Sequence, residues 1–117
     1  MSFDVVDSTC KYLESRLPGA PCFPEKPSAA PADFVTVERT GGQRGAFSDS
    51  PNLAVQAWSD EDWRAYGLAL EAADALSRMW EMVDEVCRAE VGGIYRFPDP
   101  DSRASRYQLD VYMTTRL

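Results

Sequence analysis

Histidine is missing from all 117 residues, which removes the most common general base and the most common transition-metal side chain. Lysine is nearly missing too, with Lys11 and Lys26 against ten arginines. The three cysteines, Cys10, Cys22 and Cys87, are odd in number, widely spaced and form no Cys-x-x-Cys pair. Neither a disulfide framework nor a zinc site is indicated, and the expectation is reduced, cytosolic thiols. No stretch approaches the ~20 apolar residues of a membrane span. The opening "MSFDVVDSTCKYLESRL" carries acids where an export signal carries bases, so a soluble chain with no membrane partner is expected.

Acidic residues dominate, and unevenly. The net charge is −7, and nine acids against three arginines between Ser59 and Glu90 carry −6 of it. Such a balance repels a phosphate backbone and argues against gripping nucleic acid. The length fits one domain, 1–117, with 44% hydrophobic residues to fill its core.

Phe3, Val6, Cys10, Leu13 and Leu17 share one helical face, which predicts an N-terminal helix over 1–17 that stops at Pro18-Gly19. Residues 18–33 hold five prolines and are expected to be an extended connector. The body, 34–117, then opens with two strands, "FVTVERT" (Phe34–Thr40) and "LAVQAW" (Leu53–Trp58).

Between those strands lies "RTGGQRGAFSDSP", residues 39–51, read as a mobile glycine-rich loop. A phosphate cradle needs a helix directly after its glycines, and here a strand follows. An anion- or nucleotide-binding domain using Arg39 to Gly45 is therefore the alternative, from a different functional class. After Trp58, Ser59 and its acidic followers read as the cap of one long helix reaching Glu90, ended by Gly92-Gly93. Its core stripe is Leu68, Ala72, Ala75, Leu76, Met79, Met82, Val83, Val86 and Cys87. Trp63, Tyr66, Leu70 and Ala73 fall on the back of that helix, where either the first helix or a neighbouring subunit must cover them.

"GIYRF" (Gly93–Phe97) and "RYQLDVYMTTR" (Arg106–Arg116) are expected to form a hairpin around the loop 98–105. In the last strand Tyr107, Leu109, Val111 and Met113 alternate with Gln108, Asp110, Tyr112 and Thr114, one face buried and one wet. Asp99, Asp101 and Ser102 lack the glycine and glutamate that would complete a calcium loop, and read as turn residues. The fold class is thus α+β: a four-stranded, mostly antiparallel sheet with a long helix and an N-terminal helix on one face.

This order, together with the strand ending in "RTGG", the following Asp49-Ser50-Pro51, the strand running into an alanine-rich helix and the final "PDPDSRASRYQLDVYMTTR", resembles the tail terminator, or tail-completion, proteins of long non-contractile-tailed phages. The resemblance covers roughly residues 34–117. It implies a structural virion protein, with no enzyme activity, cofactor or metal, made in the host cytoplasm and placed at the head-to-tail joint. It further implies a homo-oligomeric ring, a hexamer, that caps the tube of major tail protein, ends tube growth and joins the head-completion or stopper protein, with genomic DNA as passing cargo. A stopper or connector ring is the neighbouring reading. Carried onto this chain, the ring or tube contacts fall on Arg39, Gly41, Gly42, Arg44, Asp49 and Pro51 and on Asp99, Asp101, Arg103 and Arg106. Trp63, Tyr66, Leu70 and Ala73 are the candidate subunit interface. Glu81, Asp84 and Glu85 are candidates for the channel wall.

Overall fold

The computed structural model describes residues 3–117. It begins with helix α1, Val5–Arg16, where the Asp4 carboxylate accepts from the Asp7 amide at 3.1 Å and so satisfies one of the free donors of the first turn. Val5, Thr9, Cys10, Tyr12 and Leu13 are buried, and Leu17 follows them into the core. Phe3 and Val6 pack partly against it.

The connector is not strandless. Cys22–Phe23 form β1, which runs parallel to the start of β2, Phe34–Arg44, with Cys22 opposite Val35. Pro21 and Pro24 limit β1 to two residues and confine it to the sheet edge, where a missing amide donor is tolerated. The sheet therefore has five strands and is mixed, not four-stranded, in the order β1-β2-β3-β5-β4, with β3 spanning Ser48–Ser59, β4 Val86–Arg96 and β5 Ser105–Arg116. All pairs except β1–β2 are antiparallel.

The expected loop 39–51 is mostly ladder. Gly42 faces Pro51, Gln43 faces Ser50 and Arg44 faces Asp49, leaving only Gly45 to Phe47 as the turn. The glycines serve a bulge between Arg39 and Gly41, and Gly42 takes φ +102°, a conformation side chains disfavour. Pro51, which cannot donate, sits where the β3–β5 register skips from Asp49 to Asn52.

The long helix is also corrected. Helix α2 spans Asp62–Ser77 with Glu61 as its N-cap, and a short 3-10 turn, Met79–Glu81, leads into β4. Ser59 instead donates to Asp33 at 2.6 Å and receives the Glu61 amide at 3.3 Å. The apolar stripe fits a helix through Met79 and then fails, because Met82 and Cys87 are exposed. Val86 and Ala89 are buried in β4, which pairs with β5 from Val86–Thr115 to Arg96–Tyr107. Pairing across β5 outweighs the helical propensity of this segment, and Gly92-Gly93 lie at a bulge in β4 rather than at a helix end.

Both helices cover one face of the sheet. Val35, Val37, Leu53, Val55, Leu109, Val111 and Met113 meet Leu13, Leu17, Leu76 and Met79, while Ala69 and Ala72 let α2 lie close to the strands. The expected alternation in β5 is present, with Leu109, Val111 and Met113 inside and Tyr112 outside. No helix among the described residues is long and apolar enough to cross a membrane.

Candidate interaction surfaces

On α2, Trp63, Tyr66 and Leu70 are 70%, 46% and 40% exposed, and Ala73 is half-buried. Ala73 packs against the subunit's own core and leaves the expected interface. α1 does not cover Trp63, Tyr66 and Leu70. It packs at the other end of α2, where the Tyr12 hydroxyl donates to the Ala75 carbonyl at 2.5 Å and the Thr9 hydroxyl lies 4.0 Å from Met79 Sδ. Tyr66 instead leans on Tyr107, ring centroids 5.3 Å apart, and the Tyr107 hydroxyl donates to Asp62 at 3.1 Å. Trp63 carries the Arg64 guanidinium at 5.6 Å from its ring. The side chains are thus braced from beside and open from above.

At the other end of the sheet the β2–β3 turn presents Phe47, 91% exposed. Ser48 pairs with Arg116 and Ser59 with Ser105, so this turn and the N-terminus of α2 lie at opposite ends of a molecule 43 Å long. Arg39 does not face solvent as a free cation. Its guanidinium grips Asp49 in two hydrogen bonds of 2.6 and 2.8 Å and reaches the Gly41 carbonyl at 3.1 Å, which pins the bulge. That bond, more than simple charge proximity, holds the Asp49 carboxyl below its ordinary range. Arg44 has no carboxylate within 4.0 Å among the described residues.

The loop between β4 and β5 is a clasp. Asp99 accepts from Ser102 Oγ at 2.7 Å, from Lys26 Nζ at 3.0 Å and from the Asp101 amide at 3.2 Å. The Ser102 hydroxyl first, and then Lys26, push its carboxyl down to about 2. Lys26 also sits 4.9 Å from the Trp58 ring, so one lysine ties the proline-rich connector to the open sheet face. Arg106 is turned inward as well, 4.8 Å from Trp58 and 4.3 Å from Phe97, donating to the Phe97 carbonyl at 2.6 Å. Asp101 and Arg103 remain exposed. Among the described residues no cluster of His, Cys, Asp or Glu could hold a metal ion.

A depressed carboxyl contributes stability above its unfolded value and loses it as pH falls through the folded one. The clasp should therefore hold above pH 4 and release as pH drops toward 2. Amide exchange over residues 24–33, corrected for intrinsic rate, should quicken across that window, and Asp99→Asn should quicken it already at neutral pH. Exchange that is flat with pH in both proteins would mean that Asp99 does not anchor the connector.

Glu81 is paired with Arg78 at 2.9 Å, which lowers its carboxyl. Asp84 and Glu85 are exposed in the turn before β4 and not on a helix, so the three acids do not form the continuous helical wall expected for them. They lie at the Phe47 end of the sheet, where the Glu85 carbonyl receives the Arg116 amide.

Two groupings were hidden in the sequence. Cys10 and Cys22 lie together beneath α1, where the neighbouring Cys10 side chain first, and then burial, push the Cys22 thiol up. On the open sheet face a chain of polar side chains crosses four strands. Trp58 Nε1 donates to Thr36 Oγ1, Thr36 to Gln56, Gln56 to Gln108 at 2.8 Å, and Gln108 to the Tyr95 hydroxyl at 2.7 Å, which donates to Asp110. Each residue is an unremarkable outward polar position alone; only the strand register makes them neighbours. Neither a protein-family model nor a curated protein matches this chain.

Proposed function

We propose that this chain is the subunit of a homo-oligomeric ring at the head-to-tail joint of a long-tailed phage, in the position of tail terminator. The observation that carries this reading is the stripe of Trp63, Tyr66 and Leu70, which the chain's own first helix leaves uncovered. Aromatic side chains held open on a rigid helix are what a protein contact uses. The resemblance over residues 34–117 supplies the ring, a hexamer, and its neighbours: the tail tube protein on one side and a head-completion protein on the other. A net charge of −7 suits a channel past which DNA must slide, since a basic lining would bind phosphates and release counterions. No chemistry is required of such a subunit; it acts by shape, as a cap on a growing tube and a seat for the head.

Electron microscopy of lysates made without this gene tests the placement. Loss of a terminator should leave filled heads unjoined beside tails of uncontrolled length. Tails of normal length beside heads that leak their DNA would assign the chain to the stopper position, and fully joined particles would remove it from the joint.

A further inference from the structure

We infer that the β2–β3 turn of one copy docks on the α2 stripe of the next, with Phe47 set against Trp63, Tyr66 and Leu70 and Arg44 facing Asp74. This rests on the ring reading above and gives it a contact.

Among the described residues Phe47 is the most exposed large apolar side chain, and it stands on a turn held by a ladder, not on a loose loop. The turn closes with the Gly45 amide donating to Ser48 at 2.8 Å, and Arg39–Asp49 pins the strands beneath it. A rigid, exposed phenyl costs little ordering entropy on binding and brings a large apolar area.

The α2 stripe is its complement in kind. Trp63, Tyr66 and Leu70 follow at helical spacing, and Asp74 takes the next position along the same line, one turn or ~6 Å from Leu70. Among the described residues the Asp74 carboxylate has no cation within 4.0 Å; Arg16 and Arg78 line the same recess, and Arg78 is taken by Glu81. Thus the turn offers an apolar group and an unpaired cation, and the stripe offers apolar groups and an unpaired anion.

Position then sets the partner. Phe47 and Trp63 lie at opposite ends of the sheet, so the turn cannot reach the stripe of its own chain, and a second copy must supply it. A contact between two different surfaces of identical chains runs head to tail, and it closes into a ring when the rotation per step allows. Strand addition is the weaker route. β4 carries bulges at Val86–Arg88 and Val91–Gly93, and β2, open only beyond the two residues paired with β1, carries one at Arg39–Gly41, so neither side of the sheet offers a straight run of donors and acceptors.

Cysteine pairing tests this on the full chain. In a Cys87→Ser background, which removes the exposed native thiol, Phe47→Cys and Leu70→Cys are placed together and the concentrated protein is oxidised with copper phenanthroline. The double variant should give a ladder of covalent multimers on a non-reducing gel, whereas an equal mixture of the two single variants should stop at dimers. Leu70→Cys alone should give nothing. Arg44→Asp should cut the ladder roughly tenfold, and adding Asp74→Arg should restore it. A dimer from Leu70→Cys alone would make the contact two-fold, stripe on stripe, and overturn the inference, as would a double variant without a ladder. The ring reading answers separately to the lysates above: unjoined heads with no ladder would retain the ring and move its contact elsewhere.

Discussion

Leu70→Asp should leave the subunit folded and stop it from assembling. Leu70 is 40% exposed on the back of α2, so the change removes little from the core. Surface substitutions of this kind cost roughly 0.5 kcal/mol, and an aspartate in a helix interior adds about as much again. The melting temperature should fall by about 4 °C or less. The contact should lose at least ~2 kcal/mol, near thirtyfold in Kd, because a charge would be buried against Trp63 and Tyr66 with no partner. In a closed ring every subunit contributes the altered surface, so the loss recurs at each joint. Sedimentation velocity and the yield of joined particles read the assembly, and circular dichroism reads the fold. Leu76→Ala, at a fully buried position on the opposite face, is the contrast, with an expected cost of 2–5 kcal/mol in the monomer. Should Leu70→Asp melt as low as Leu76→Ala, Leu70 belongs to the subunit's own packing.

A large effect on stability is also expected from a single methyl group at Gly42. Its φ of +102° strains any other residue, and a Cβ there would lie 2.0 Å from the Ser50 carbonyl oxygen and 2.9 Å from Pro51 Cα. Both obstacles are backbone on the facing strand, so relief requires parting β2 from β3. Gly42→Ala should cost about 3 kcal/mol or more, lowering the melting temperature by roughly 10 °C. Gly45→Ala is the internal control: its Cβ would sit 3.4 Å from the Ser48 carbonyl in ordinary contact, and its φ is not positive. Equal melting of the two variants would mean that the strands do not meet at Gly42 as described.

Much of this was legible in the residues. The polar and apolar alternation of β5, the N-terminal helix and the exposed stripe of α2 follow from periods of 2 and 3.6 that local sequence carries. The segment from Arg78 to Gly92 was not, because Met79, Met82, Val83 and Val86 satisfy a helical stripe as well as they satisfy a strand, and only the need of β5 for a partner decides between them. "RTGGQRGAFSDSP" misled for a related reason. Glycine marks a bulge in a strand as readily as a loop, and the pairing of Arg39 with Asp49 that settles the matter spans ten residues. The same holds for Lys26 and Asp99, 73 residues apart, whose meeting makes a strap of what reads as a free linker. Short-range pattern names elements; it cannot say which elements touch.

The bulges in β4 and β2 bear on how separate copies meet before any assembly forms. An unbroken eleven-residue edge of the length of β4 is a template on which copies zip together along the backbone into fibrils. Two interruptions in β4 and one in β2 leave only short matching stretches, too few for such growth. Copies that meet wrongly can then part, because nothing but side chains holds them. The proposed ring would gain from that: each misplaced subunit would be released and tried again, until the last one found both of its neighbours.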